Sequence, residues 1–200
     1  SEISFRANLD RAIRPAKPEL LIRQVAGNSD FPTNLGEPVW ADERRTVAMY
    51  RAQGGYVLCF PDLADIFYER AGRQIVVNAA GPASAETLEH LLLDQALPRA
   101  ISDLGRTVVH AGAVRINGRA ALFLGESGAG KSTLVASLFR AGHALLSDDA
   151  VVLGERGDFQ TALATYPSLR LWPSSLESVA APAARIAPMA HYSTKRRLLL

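Results

Sequence analysis

The sequence predicts a mixed α/β chain, with a small β-rich subdomain over residues 1–82 and an α/β core over residues 83–200. Three observations predict it. Short apolar segments punctuated by turn residues run from Thr46 to Asn78. Helical periodicity sets in after Ser84. A glycine-rich loop then stands between a strand pattern and a helix pattern.

Residues 1–40 carry prolines at 15, 18, 32 and 38, which predicts loops with room for one short strand or helix. Thr46–Arg51, Tyr56–Phe60, Asp65–Arg70 and Gln74–Asn78 are rich in β-branched, aromatic and other apolar residues. Gln53-Gly54-Gly55, Pro61-Asp62 and Ala71-Gly72 separate them, which predicts a small antiparallel meander closed by Gly81-Pro82. Ser84 reads as a helix N-cap with Glu86 in the first turn. Leu88, Leu91, Leu92 and Ala96 follow at helical spacing, Pro98 is expected to kink or split the helix, and Gly105 to stop it.

Arg106–Ile116 and Arg119–Leu124 read as two strands joined by a type I′ turn at Asn117-Gly118. After the glycine-rich loop, Thr133–Arg140 reads as a helix with Leu134, Val135, Leu138 and Phe139 on its apolar face and Gly142 past its end. Leu145–Val152 is an apolar strand pattern broken by Asp148 and Asp149. The closing Lys195-Arg196-Arg197-Leu198-Leu199-Leu200 looks like the start of a strand. An exposed Leu-Leu-Leu end would be costly, so either a longer natural chain or a covering partner is expected.

Bulk composition narrows the function classes. The 200 residues are 48% hydrophobic and 21% charged, an ordinary globular balance that can bury a core. A net charge of +2 and a pI near 8.9 do not by themselves argue for a nucleic-acid partner. Cys59 is the single cysteine, so no internal disulfide can form and a reducing compartment fits. No leader pattern precedes Phe5 and no apolar run reaches bilayer length; the expectation is a cytoplasmic chain without a membrane partner.

Gly125-Glu126-Ser127-Gly128-Ala129-Gly130-Lys131-Ser132 fits G-x-x-x-x-G-K-[ST] without a mismatch. A phosphate chain needs converging backbone N–H groups, and the three glycines permit the dihedrals and the close approach. The helix that follows turns its positive end to the anion. Lys131 supplies a mobile cation, Ser132 a hydroxyl ligand for Mg²⁺, and Thr133 completes the nucleotide-binding set. The expected ligand is ATP or GTP with Mg²⁺, since no residue pattern reads the base. Asp148 and Asp149 would be costly on an apolar strand unless something uses them. Placed at a strand end, one could hold the metal and the other take a proton from a hydroxyl; the bland alternative is a pair of solvated turn residues. His110 alone reads as an ordinary half-buried strand histidine. His90, His143 and His191 show no metal-ligand spacing, and no transition-metal site is expected. Trp40 and Trp172 are read as packing residues. Lys195, Arg196 and Arg197 either reach toward phosphate or form a solvated basic cluster.

His110, a hairpin, Gly-Glu-Ser-Gly-Ala-Gly-Lys-Ser, Arg140-Ala141-Gly142-His143 and Ser147-Asp148-Asp149-Ala150-Val151 together resemble the catalytic core of bacterial HPr kinase/phosphorylase over residues 106–153. The resemblance implies a P-loop kinase core of the HPr kinase C-terminal-domain type. It implies that Lys131 and Ser132 bind triphosphate and Mg²⁺, that Asp148 helps hold the metal, that Asp149 takes the acceptor's proton and that His110 tunes the pair. The family's later Glu-x-Arg-Gly-Leu-Gly segment has its nearest equivalent in Tyr166–Pro173: Arg170 matches the arginine, a candidate for stabilising charge in transfer, while Ser168 replaces the Glu and the glycines are absent. Residues 1–80 do not resemble that family's regulatory domain. Leu91–Pro98, Tyr166–Trp172 and Lys195–Arg197 are closer to HPr-kinase-related proteins of bacterial peptide-modification clusters, some similar to lasso-peptide precursor kinases. That likeness implies a serine hydroxyl on a peptide or small protein as acceptor, and a homo-oligomer. A kinase for a small-metabolite hydroxyl and a nucleotide-binding scaffold with little turnover are the alternatives.

Overall fold

The structure, a computed structural model, describes residues 20–25, 31–81, 83–163, 168–179 and 185–199. It is mixed α/β, richer in strand than in helix, and divides into two units, the first ending at Leu92 and the second running Leu93–Leu200. The division falls inside the helical run after Ser84, past the boundary at 82 that the sequence suggested, because Ala85–Leu92 cluster with the β-rich unit.

Among the described residues the first unit holds strands β1 (Leu21–Val25), β2 (Trp40–Ala41), β3 (Ala48–Ala52), β4 (Gly55–Phe60), β5 (Ala64–Glu69) and β6 (Gln74–Ala79) in one sheet of order β1-β6-β5-β4-β3-β2. β3 to β6 form the expected meander; β1 joins its edge parallel to β6, Ile22 opposite Ile75. The prolines at 15 and 18 lie outside the described residues. Val57, Phe67 and Val76 form one buried cross-strand row, and Leu58, Ile66 and Val77, one residue along, form a second on the opposite face. Gly55 is required by contact: a Cβ there would lie 1.8 Å from the Tyr68 carbonyl oxygen.

Helix α1 (Ala85–Leu91) starts as its sequence dictates, with Ser84 Oγ accepting the Thr87 N–H at 3.2 Å. A π-helical turn, Leu92–Ala96, follows, and then α2 (Leu97–Asp103), which begins with Pro98 in its first turn. Pro98 thus divides the helix as expected: it cannot donate to the turn before it, and an extra residue there takes up the mismatch. Gly105, φ 84°, closes α2.

The second unit is built on β7 (Thr107–Ile116), β8 (Arg119–Phe123), β9 (Ala144–Arg156) and β10 (Phe159–Leu163) in the order β10-β9-β7-β8. Asn117 and Gly118, φ 49° and 79°, make the expected I′ turn. Helix α3 (Lys131–Arg140) connects β8 to β9, which runs parallel to it across the shared antiparallel neighbour β7. A second, three-stranded sheet of order β11-β13-β12 joins β11 (Ser168–Leu171), β12 (Arg185–Pro188) and β13 (Arg196–Leu199), with α4 (Pro173–Val179) after β11. Val114, Val135, Ala136, Leu169, Leu171, Leu176 and Leu198 share one core.

One expectation changes here: Leu134 is 45% exposed, and Ala136 is buried beside Val135 in the core instead. Leu198 is buried in the chain's own core, since β13 is the middle strand of its sheet; Leu200 lies outside the described residues. No helix among the described residues is long and apolar enough to cross a membrane.

Candidate active site

Gly125–Ser132 forms the turn from β8 into α3, in the strand–loop–helix context its sequence calls for. Gly125, Gly128 and Gly130 have φ of 153°, 88° and 84°, which side-chain-bearing residues rarely adopt. Gly130 caps α3, so the helix N-terminus opens onto the loop. Lys131 folds back, its Nζ donating to the carbonyls of Gly125 (2.8 Å) and Glu126 (3.0 Å). Gly112 of β7 seats the helix: a Cβ there would stand 2.6 Å from Val135 Cγ2.

Asp148 and Asp149 lie within β9, not at its end, opposite Gly112 and Ala111 of β7. A regular strand would turn these neighbours to opposite faces. It does not here because Asp149 has φ 123°, close to a register shift at Ala113/Val114, and both carboxylates line one cavity. Such a backbone costs about 1–3 kcal/mol and persists only where its surroundings hold it. Ser147 contributes, its Oγ donating to the Ala150 carbonyl at 2.6 Å.

That cavity, about 250 Å³, is lined by Ser127, Gly128, Gly130, Lys131, Ser132 and Thr133 from the loop and α3, by His110, Asp148, Asp149 and Arg170, and by Leu171, Trp172, Ser175 and Lys195. Of the residues the sequence nominated, Gly125, Glu126 and Ala129 shape the loop without lining it. The His110 side chain is 56% exposed, and its Nδ1 lies 3.0 Å from Asp149 Oδ1. That hydrogen bond, with the Asp149 charge, holds the imidazole above its ordinary pKa against partial burial and the Lys131 charge. Burial raises the pKa of Asp148, opposed by the Arg170 N–H at 2.7 Å, the Arg170 charge and the Ser132 hydroxyl.

Arg170 is the buried centre of this arrangement, 5% exposed. Its Nη1 donates to the Asp148 carbonyl and lies 3.7 Å from Asp149 Oδ2; its Nη2 meets Asp94 Oδ1. Asp94 was missed by sequence reasoning. It sits in the π-helical turn with a side chain 2% exposed, and its charge adds to burial in pushing the Tyr192 hydroxyl up to about 12. The available signal was a carboxylate inside the apolar run Leu91–Leu97 just ahead of Pro98. The basic cluster divides: Lys195 lines the cavity, Arg196 is exposed and Arg197 is buried opposite Arg170 on β13. Trp40 and Trp172, read as packing residues, are 43% and 49% exposed. Trp172 leaves the core because β11 ends at Leu171, and Lys195 Nζ stands 5.1 Å from its ring centroid. Tyr166 and Pro167 lie outside the described residues. Among the described residues, no group of three or more His, Cys, Asp or Glu gathers as a metal cage.

Over 55 residues the chain is 40% identical to an HPr kinase/phosphorylase of Chlorobium chlorochromatii (strain CaD3). This likeness supports a kinase-related chain. The matched stretch is 28% of this chain and covers 16% of that protein's length. No family model and no solved structure matches.

Proposed function

We propose that this chain is a serine kinase of the HPr kinase type, transferring the γ-phosphoryl group of ATP or GTP to a serine hydroxyl of a peptide or small protein, with a lasso-peptide precursor as the acceptor suggested by resemblance. One observation carries the reading: a single cavity joins the glycine-rich loop, Lys131 and Ser132 to the Asp148–Asp149 pair and His110. Phosphoryl transfer is mainly positioning and charge neutralisation, and these groups supply both.

The loop N–H groups and Lys131 would hold the phosphates. The Ser132 hydroxyl and the Asp148 carboxylate are hard oxygen donors lining the same cavity, a pair suited to Mg²⁺, which takes one or two protein ligands and completes its shell with phosphate and water. Bound there, Mg²⁺ would neutralise charge on the β- and γ-phosphates. Asp149 would accept the acceptor's proton as the acceptor oxygen bonds to phosphorus and the bond to the β-phosphate oxygen breaks. His110, held toward its protonated form, orients Asp149 through Oδ1. Arg170, fixed by Asp94, sets the far side of the pair and counters charge built up in transfer.

The test is incubation with Mg²⁺, labelled ATP and serine-containing peptides. Transfer is expected, and Asp149→Asn should abolish it with nucleotide affinity nearly intact. No transfer to any acceptor despite tight nucleotide binding overturns the kinase reading; transfer retained by Asp149→Asn overturns the base assignment alone.

A further inference from the structure

The cavity contains one surface that phosphate, cation and acceptor hydroxyl do not use. Apart from Leu171, its other groups are charged or polar, among them the loop amides, Lys131, Ser132, Arg170 and the carboxylates. Trp172 is different. It is a large aromatic ring on the wall of a charged cavity, with about half its surface open. An aromatic side chain of this size ordinarily buries 150–250 Å². Leaving it open costs stability unless an occupant covers it.

The backbone that carries the ring is anchored. The Trp172 carbonyl accepts the Leu176 N–H at 3.0 Å, closing the first turn of α4. One turn on, Ser175 Oγ lies 3.0 Å from Thr133 Oγ1, which ties the start of α4 to the first turn of α3 behind the glycine-rich loop. Lys195 stands over the ring from the neighbouring segment, a cation–π contact that steadies the indole at the cavity's edge. The first turn of α3 and the Trp172 ring therefore share one wall and are connected through Thr133 and Ser175.

We infer that Trp172, with Lys195 over it, is the nucleobase platform of this site, taking the base of a nucleoside triphosphate by stacking. The inference rests on the nucleotide reading proposed above. The base is the one planar, weakly polar part of such a ligand, and it needs a π-face more than hydrogen-bond partners. This accounts for a sequence with no base-reading motif, since stacking tolerates any base and favours the larger purine ring. Stacking of this kind is worth roughly ten- to hundredfold in affinity, about 1.4–2.8 kcal/mol.

The experiment compares Mg·ATP with Mg·tripolyphosphate, which has the phosphates and no base, by calorimetric titration of wild type, Trp172→Ala and Trp172→Phe. Trp172→Ala should weaken ATP about ten- to hundredfold and leave tripolyphosphate within twofold, Trp172→Phe should restore most of the loss, and purine triphosphates should bind more tightly than CTP. Should Trp172→Ala fold poorly, Trp40→Phe leaves Trp172 as the only fluorophore of its kind, and ATP but not tripolyphosphate should quench it. Equal weakening of both ligands, unchanged ATP affinity in Trp172→Ala, or a loss confined to the acceptor overturns the platform. Wild type that binds tripolyphosphate as tightly as ATP overturns the platform alone. Wild type that binds neither overturns the loop reading together with it.

Discussion

Replacing Asp94 by Asn tests the buried charge arrangement directly, because the change removes a charge and almost no volume. Arg170 is buried and shared among three carboxylates: Asp94 at Nη2, Asp149 at 3.7 Å from Nη1, and Asp148, which accepts its backbone N–H. Removing one partner of a buried pair typically costs about 3–5 kcal/mol, since the charge left behind stays desolvated. Two carboxylates remain near Arg170 here, so the low end applies, about 3 kcal/mol. For a chain of this size that lowers the melting temperature by on the order of 10 °C. The assay is thermal unfolding followed by Trp172 fluorescence in a Trp40→Phe background, which reports the unit Leu93–Leu200. The double variant Asp94→Leu/Arg170→Met removes both charges and should lose clearly less than the sum of the single variants, because each single change strands its partner. An Asp94→Asn loss below about 0.5 kcal/mol, the range of an ordinary surface change, would refute the buried pairing; additive losses would refute the coupling.

Further outcomes follow from other parts of the structure. Gly112→Ala should destabilise the protein by about 1–3 kcal/mol and weaken nucleotide binding, because its Cβ would push Val135 and α3 off β7; unchanged melting and affinity would contradict that packing. Asp148 has a folded pKa raised above 3.8, so its contribution to stability is present below that pH and lost as pH rises through the raised value. Asp148→Asn should therefore gain on wild type as pH climbs from about 4 in the absence of nucleotide, and denaturation at several pH values reads the sign. His110 is also raised, above 6.5; its contribution is full below that pH and fades above it, and His110→Gln should flatten that part of the profile. Burial and a hydrogen bond to Asp65 push the Cys59 thiol up to about 12, so a thiol reagent at pH 8 should label the folded protein far more slowly than the unfolded chain.

Features set by neighbouring residues were legible in the sequence. Ser84 caps a helix because its own Oγ meets Thr87 N–H, Asn117-Gly118 turns because both residues tolerate positive φ, and the spacing of Gly125, Gly128, Gly130 and Lys131 defines a loop without reference to the rest of the chain. The meander from β3 to β6 follows from strand patterns and turn residues alone.

What depended on distant partners was decided by tertiary structure. Asp94 and Arg170 are 76 positions apart, and neither carries a local sign that it will meet the other. The alternation rule predicts opposite faces for Asp148 and Asp149; only the distorted backbone at Asp149, held between β7 and the Arg170 strand, turns both into one cavity. Trp172 looked like core because the sequence cannot say where β11 ends relative to the cavity wall. Local dihedral preference and hydrogen bonding act over a few residues and are written in their order. Desolvation and charge pairing act through space, and they are settled only when the chain has closed around them.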